Sequence, residues 1–168
     1  GRPSPTTFAD AVEETGAFAA AALDGGDCAV GVESTVVSVL DGRVALLRPG
    51  SVTREEIEAV VGPLDRGGEG QRSPGRRALH DAPDAPVRIE ADGVADGEIL
   101  LGFGPGVGDP RWSLSPTGDL REAAANLFRR LREADRERPS GIAVSPIPAA
   151  GLGEAINDRL RRAAGFVG

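Results

Sequence analysis

A polar segment from Asp65 to Pro83, with almost no apolar residue, constrains the fold more than any other feature of the sequence. It consists mainly of Gly, Arg and Pro, a composition typical of a linker or surface loop. Such a segment adds nothing to a core, so the 168-residue chain must bury its apolar residues on either side of it. We predict two domains, 1–64 and 84–168, joined by an interdomain linker at 65–83.

The composition excludes several classes of protein. Aromatic residues make up only 4% of the chain, so the core must be aliphatic. The net charge of −7 disfavours non-specific binding to nucleic acid, which depends on clustered cations, although a local arginine patch could still contact RNA. No apolar run approaches the roughly 20 residues of a membrane span, so we expect no membrane contact.

The single cysteine and the first residues indicate the setting of the protein. Cys28 has no partner for an internal disulfide, so we expect a reducing, cytoplasmic compartment. The chain starts at Gly1 with neither an initiator methionine nor the charged and apolar regions of a signal peptide. We therefore expect it to be part of a longer protein.

Local patterns in the first part predict a hairpin between two helices. Residues 30–40 are rich in β-branched side chains, and Asp41-Gly42 separates them from a second apolar run at 43–48, which is a hairpin signal. Residues 7–22 form a weak, Ala-rich helical pattern. Thr53 with Glu56 forms a capping box that opens a helix, which Gly62-Pro63 should end.

The second part alternates between strand and helix patterns. Short strands are predicted at 87–89, 99–101 and 141–145. Asp119 should cap a long helix, and an apolar stripe from Leu152 to Ala163 predicts a final one. This order indicates an α/β layer with a partly parallel sheet.

Several short blocks then carry a resemblance to a known family. In chain order they are Gly1–Thr6, Gly31–Val37, Leu47–Gly50, Ser73–Gly75 with His80 and Ala82-Pro83, Leu101–Pro105, Asn126–Phe128 and Gly151–Leu160. In this order they resemble the C-terminal part of L-threonylcarbamoyladenylate synthases, the YrdC-like family, in its long two-domain form. The resemblance implies an α/β fold: the C-terminal remnant of a YrdC-like α+β domain, a linker and a small Rossmann-like α/β accessory domain.

The resemblance also implies an activity. Such enzymes are nucleotidyltransferases that condense L-threonine, bicarbonate and ATP, with Mg²⁺, to threonylcarbamoyl-AMP and pyrophosphate, for modification of tRNA. tRNA and tRNA-modification proteins are therefore further candidate partners. By resemblance Ser34 would contact L-threonine, while Ser4 and Arg48 would contact ATP. A serine hydroxyl both donates and accepts, and the planar arginine fork suits phosphate or carboxylate oxygens.

Each candidate residue also has a purely structural interpretation. Ser34 falls within a predicted strand, where serine commonly packs, and Arg48 ends a strand, where arginine is commonly solvated. Ser4 lies between two prolines and could be a turn residue. Glu33 is a candidate general base, but an isolated carboxylate there more often forms an ion pair or faces solvent.

The linker histidine departs from the family pattern. His80 lies where the family folds over its nucleotide, and an ATP contact is conceivable. Ala78 and Asp81 replace the tyrosines that flank this histidine in the family, and Asp81 would add negative charge beside a triphosphate.

A second function class remains open: a non-catalytic α/β binding or regulatory module derived from the family. The family's Lys-x-Arg and Ser-x-Asn segments, which precede the matched blocks, are absent from this sequence. We therefore predict that this chain alone makes no threonylcarbamoyl-AMP.

Overall fold

A β-hairpin organises the first part of the computed structural model, which describes residues 2–66 and 82–165. Strands β1 (Val36–Leu40) and β2 (Arg43–Arg48) pair antiparallel, and a short β3 (Asp65–Arg66) adds parallel to β2. Asp41 and Gly42 both have positive φ, 51° and 73°, as a two-residue turn between right-twisted strands requires. The hairpin predicted from Asp41-Gly42 is confirmed.

Two helices flank this hairpin in sequence. Helix α1 (Phe8–Thr15) is capped by the Thr7 hydroxyl and ends in a short 3-10 turn, so it is shorter than the predicted range 7–22. Phe18 and Leu23, beyond its end, are 92% and 94% exposed. Without packing, a short Ala-rich segment gains too little to stay helical. Helix α2 (Arg54–Val61) has the predicted Thr53–Glu56 capping box and ends at Gly62.

The second part is a parallel α/β layer, as predicted. Its sheet has the order β4–β7–β5–β6, and every neighbouring pair is parallel. The strands are β4 (Val87–Arg88), β5 (Glu98–Phe103), β6 (Ser113–Ser115) and β7 (Gly141–Val144). Helix α3 (Leu120–Arg136), capped by Asp119, precedes β7, and α4 (Leu152–Ala163) follows it. β6 was not predicted, because three residues are too few to show a period.

The core lies between this sheet and its helices. Helix α3 packs on β5, β6, β7 and α4. The side chains that are fully buried there are mostly aliphatic: Leu101, Leu114, Leu127, Phe128, Leu131, Ile142 and Ile156. The guanidinium of Arg111 covers the buried Trp112, 4.4 Å from the ring centroid. The prediction of an aliphatic core is confirmed.

Arginines join the two parts of the chain. Arg132 of α3 is almost fully buried and donates to the carbonyl oxygen of Pro3 at 2.8 Å and to Glu14 at 2.9 Å. Arg54 of α2 forms a two-point ion pair with Glu154 of α4, at 2.7 and 3.2 Å. The first part is therefore docked on the helices of the second.

The division at 65–83 stays a prediction, because residues 67–81, with His80, Ala78 and Asp81, lie outside the described ranges. Within residues 2–66 and 82–165, no helix has the length and apolarity that crossing a membrane requires.

Candidate substrate-binding site

Ser34 precedes β1 rather than lying within a strand, which corrects the predicted strand at 30–40. The cause is a close approach at Gly31, whose φ is +69° and where an added Cβ would lie 2.4 Å from the carbonyl oxygen of Ala124. Backbone in this left-handed conformation, held against α3, cannot continue a strand ladder. Ser34 therefore lies in an irregular segment with its side chain exposed.

Ser34 and Arg48 are in direct contact. Arg48, the last residue of β2, donates from Nε and Nη2 to the Ser34 carbonyl oxygen at 3.2 and 2.9 Å. Its Nη2 atom is also 3.3 Å from the Ser34 hydroxyl oxygen. Two donors on one carbonyl fix the plane of the guanidinium, so the hydroxyl and the charge are presented side by side.

Ser4 reaches the same neighbourhood through Glu33. The Ser4 hydroxyl donates to Oε1 of Glu33 at 3.1 Å, and Glu33 directly precedes Ser34. The three residues expected from the sequence to bind substrates are thus brought to one region, two in contact and the third one residue removed.

Glu33 forms an ion pair rather than serving as a free base. Its Oε2 accepts from Nε of Arg159 at 2.6 Å. Burial alone would raise the pKa of Glu33, but the charge and hydrogen bond of Arg159, with the bond from Ser4, outweigh burial and lower it. A carboxylate held ionised in this way is a weak proton acceptor at neutral pH. The ion-pair interpretation of Glu33 is confirmed.

Gly50 permits the close crossing that brings Arg48 to Ser34. A Cβ at position 50 would lie 2.3 Å from the carbonyl oxygen of Glu33 and 2.4 Å from the amide nitrogen of Thr35. The amide of Ser51 donates to that Glu33 carbonyl at 3.0 Å. Only glycine leaves room for two backbones this close, which gives the glycine of Leu47-Arg-Pro-Gly50 a physical role.

Sequence reasoning missed Arg159 of α4. Its side chain is 2% exposed, and besides Glu33 it contacts the carbonyl oxygen of Pro49 at 3.0 Å and Asp158 at 2.6 Å, both from Nη1. Helical periodicity could have predicted its burial, because Arg159 follows Ile156 by three residues and precedes Ala163 by four. It therefore lies on the buried face of α4, where an arginine indicates a buried partner.

The arrangement suits binding of small charged molecules. An exposed hydroxyl beside a fixed guanidinium can take the carboxylate or ammonium group of an amino acid and the oxygens of a phosphate. Among the residues that the structure describes, no group of three or more His, Cys, Asp or Glu side chains could hold a metal ion.

Comparison with known proteins places the chain in a family. Residues 52–165 match the family model described as threonylcarbamoyl-AMP synthase, C-terminal domain, and residues 1–50 match one described as telomere recombination. The chain is 35% identical to the threonylcarbamoyl-AMP synthase of Bacillus subtilis (strain 168), over 98% of this chain and 54% of that protein. It is 33% identical to that of Pyrococcus abyssi (strain GE5 / Orsay), over 99% of this chain and 55% of that protein.

A solved structure supports the same assignment. The crystal structure of P. abyssi Sua5 complexed with L-threonine matches with a TM-score of 0.82 at 31% identity, over 99% of this chain and 55% of the Sua5 chain. The chain thus spans about half the length of the curated relatives that it matches. It belongs to the family of the threonylcarbamoyl-AMP synthase C-terminal domain, which it carries behind a short YrdC-like segment.

Proposed function

We propose that this chain serves in an enzyme that forms threonylcarbamoyl-AMP and pyrophosphate from L-threonine, bicarbonate and ATP, for threonylcarbamoyladenosine modification of tRNA. The observation that supports the proposal most is the contact between Arg48 and both oxygens of Ser34. It occurs in a chain similar throughout to a Sua5 whose structure holds L-threonine. We further propose a cytoplasmic protein with domains at 1–64 and 84–168, joined by a linker at 65–83.

In this proposal Ser34 and Arg48 bind different substrates. The Ser34 hydroxyl, which both donates and accepts, binds L-threonine, and the permanently charged fork of Arg48 binds phosphate oxygens of ATP. Ser4 contributes a hydroxyl contact to ATP. Because Arg48 is held by the carbonyl of Ser34, the two substrates are fixed relative to each other.

The proposed chemistry requires positioning rather than a protein nucleophile. L-Threonine and bicarbonate combine with loss of water to a carbamate, whose carboxylate attacks the α-phosphorus of ATP, and pyrophosphate leaves as its bond to that phosphorus breaks. Negative charge develops on the leaving pyrophosphate, and a fixed cation stabilises it. Glu33, paired with Arg159, orients its neighbour Ser34 and takes no proton.

The test is calorimetric titration of L-threonine and ATP into the natural full-length protein. Ser34→Ala should reduce the affinity for L-threonine by about 10- to 150-fold, because one hydrogen bond to a charged ligand is lost, and should change ATP affinity less. Arg48→Ala should mainly weaken ATP, by a similar or larger factor, and Arg48→Lys should restore only part, since it keeps the charge but loses the fork.

Ser140→Ala is a matched control, because Ser140 is an exposed serine of the second part whose hydroxyl bonds to the backbone of Asp96. It should leave both affinities unchanged. If a folded Ser34→Ala protein binds L-threonine as the wild type does, Ser34 is a packing residue and the proposed role is wrong.

A non-catalytic binding or regulatory module is the second candidate function. The favouring observation is that most of the matched chain, residues 52–165, is the C-terminal domain, whereas Ser34 and Arg48 lie in the shorter match at residues 1–50. Under this alternative the chain would still hold a ligand beside Ser34 without turning it over.

A further inference from the structure

We propose that Arg159 is a positioning residue, which sets the distance between Ser34 and Arg48 by holding together the residues that adjoin them. The inference rests on the proposed function of those two residues. It extends the site to helix α4, the last helix of the C-terminal domain.

The geometry of one guanidinium carries the proposal. Its Nε donates to Glu33, which directly precedes Ser34, at 2.6 Å. Its Nη1 donates at 3.0 Å to the carbonyl oxygen of Pro49, which directly follows Arg48. Because the group is planar and rigid, these two bonds act with the backbone bond from Ser51 to Glu33 to fix the separation of the two segments.

The guanidinium is itself oriented from α4. Asp158 accepts from Nη1 of Arg159 at 2.6 Å and is held in turn by Arg162, at 2.9 and 3.2 Å. With only 2% of its side chain exposed, Arg159 cannot turn out to solvent. The position of α4 is thereby transmitted to both segments of the site.

The hydrogen bonds of Arg159 are better suited to positioning the site residues than to stabilising the fold. Its Nη2 atom is buried and has no acceptor within the described residues. A buried donor left unpaired opposes folding. The same side chain nevertheless places donors on both segments of the site.

The two parts of the chain do not depend on Arg159 alone for their docking. Arg54 and Glu154 also join α2 to α4, and Arg132 joins α3 to Pro3. Arg54 of α2 bonds to Glu154 of α4, the helix that carries Arg159, but these bonds reach neither Glu33 nor Pro49. Arg54→Met is therefore a matched control, since it removes an arginine bridge to the same helix without touching the site.

The experiment compares Arg159→Met, Arg159→Lys and Arg54→Met in the natural full-length protein. The measurements are L-threonine and ATP affinity by calorimetry, and kcat and KM for pyrophosphate release. Arg159→Met should reduce the affinity for L-threonine at least about tenfold and lower kcat. The reason is that a displacement of about 1 Å in a substrate-positioning group reduces the reaction rate by up to about 100-fold. Arg159→Lys should restore part of both, since it can pair with Glu33 but lacks the fork. Arg54→Met should stay within about twofold of the wild type.

Two further variants keep the proposal testable if Arg159→Met fails to fold. The two variants are Glu33→Gln and the double variant Glu33→Gln/Arg159→Lys. Introducing Arg159→Lys into Glu33→Gln should reduce L-threonine affinity and kcat by a smaller factor than introducing it into the wild type, because the contact with the Glu33 carboxylate is already weakened. Fully additive effects, wild-type kinetics in Arg159→Lys, or equal losses in Arg159→Met and Arg54→Met would each overturn the positioning role. Unchanged L-threonine binding in Ser34→Ala would instead overturn the proposed function, whatever Arg159 does.

Discussion

Replacement of Gly50 by alanine tests the close crossing on which the candidate site depends. The new methyl group would lie 2.3 Å from the Glu33 carbonyl oxygen and 2.4 Å from the Ser34 carbonyl carbon. Ordinary contacts of this kind are about 3.5–4 Å, so the backbone at 48–51 would have to retreat by about 1 Å. Both crossing partners are backbone, so no side-chain rotation can relieve the contact.

The expected loss has two components. Overpacking costs about 1–3 kcal/mol, and the bond from the Ser51 amide to Glu33, 3.0 Å long, contributes about 0.5–1.5 kcal/mol. Gly50→Ala should therefore lower the free energy of unfolding by about 1.5–4.5 kcal/mol. It should also reduce the affinity for L-threonine in the natural protein, because Arg48 moves with the backbone at 48–51.

Urea unfolding, followed by circular dichroism, measures the effect. Gly93→Ala is the control, because nothing lies within 4 Å of a Cβ built there. That change should stay within about 0.5 kcal/mol of the wild type, as surface substitutions usually do. If Gly50→Ala were as stable as Gly93→Ala and bound L-threonine normally, the crossing would not be as close as described.

Two further predictions concern acid stability and activity. The pKa of Glu98 is lowered to about 2 by hydrogen bonds from Arg88 and the amide of Ala95. Because the folded pKa lies below the unfolded value, the ionised Glu98 contributes its full share to stability above about pH 4.3. This contribution should be lost as the pH falls towards 2. Arg88→Met should make the thermal-unfolding midpoint depend less on pH in that range. An unchanged pH dependence would show that the Arg88–Glu98 pair contributes nothing. Incubated with ATP, L-threonine and bicarbonate, this chain alone should release no pyrophosphate, because it has no lysine-bearing phosphate segment. Turnover of about 1 per second or more would contradict that prediction.

Elements specified by local chemistry were predicted well. The Asp41-Gly42 turn needs only two residues with positive φ, and the capping box at Thr53 and the N-cap at Asp119 need only side-chain bonds within one turn. These signals are complete within a few residues of sequence, so distant contacts do not alter them.

The errors arose where distant contacts decide the structure. The strand predicted at 30–40 begins only at Val36, because Gly31 lies against α3, which is remote in sequence. Helix α1 ends early, because Phe18 and Leu23, beyond its end, are exposed and gain no packing. Sequence patterns cannot show either a neighbour or the lack of one.

The site was predicted from resemblance more than from physics. Ser34 and Arg48 are ordinary residue types, and only the surrounding block distinguished them. Arg159 was missed, although its place on the apolar face of α4 could have been found by asking which charged residues share the helical stripe. A charged residue on such a face is informative because its burial requires a partner.

The imbalance of burial between the two parts has a consequence for biosynthesis. Among residues 2–66, Pro3 and Ala45 are the only buried apolar side chains other than glycine, whereas the second part holds almost the whole core. The ribosome makes residues 2–66 before α3 and α4, at about 5–20 residues per second. The contacts that Arg132 and Arg159 make with Pro3 and Glu33 can therefore form only some seconds after the hairpin has been made. The segments around Ser34 and Arg48 should thus reach their final packing late in translation, once α4 has emerged.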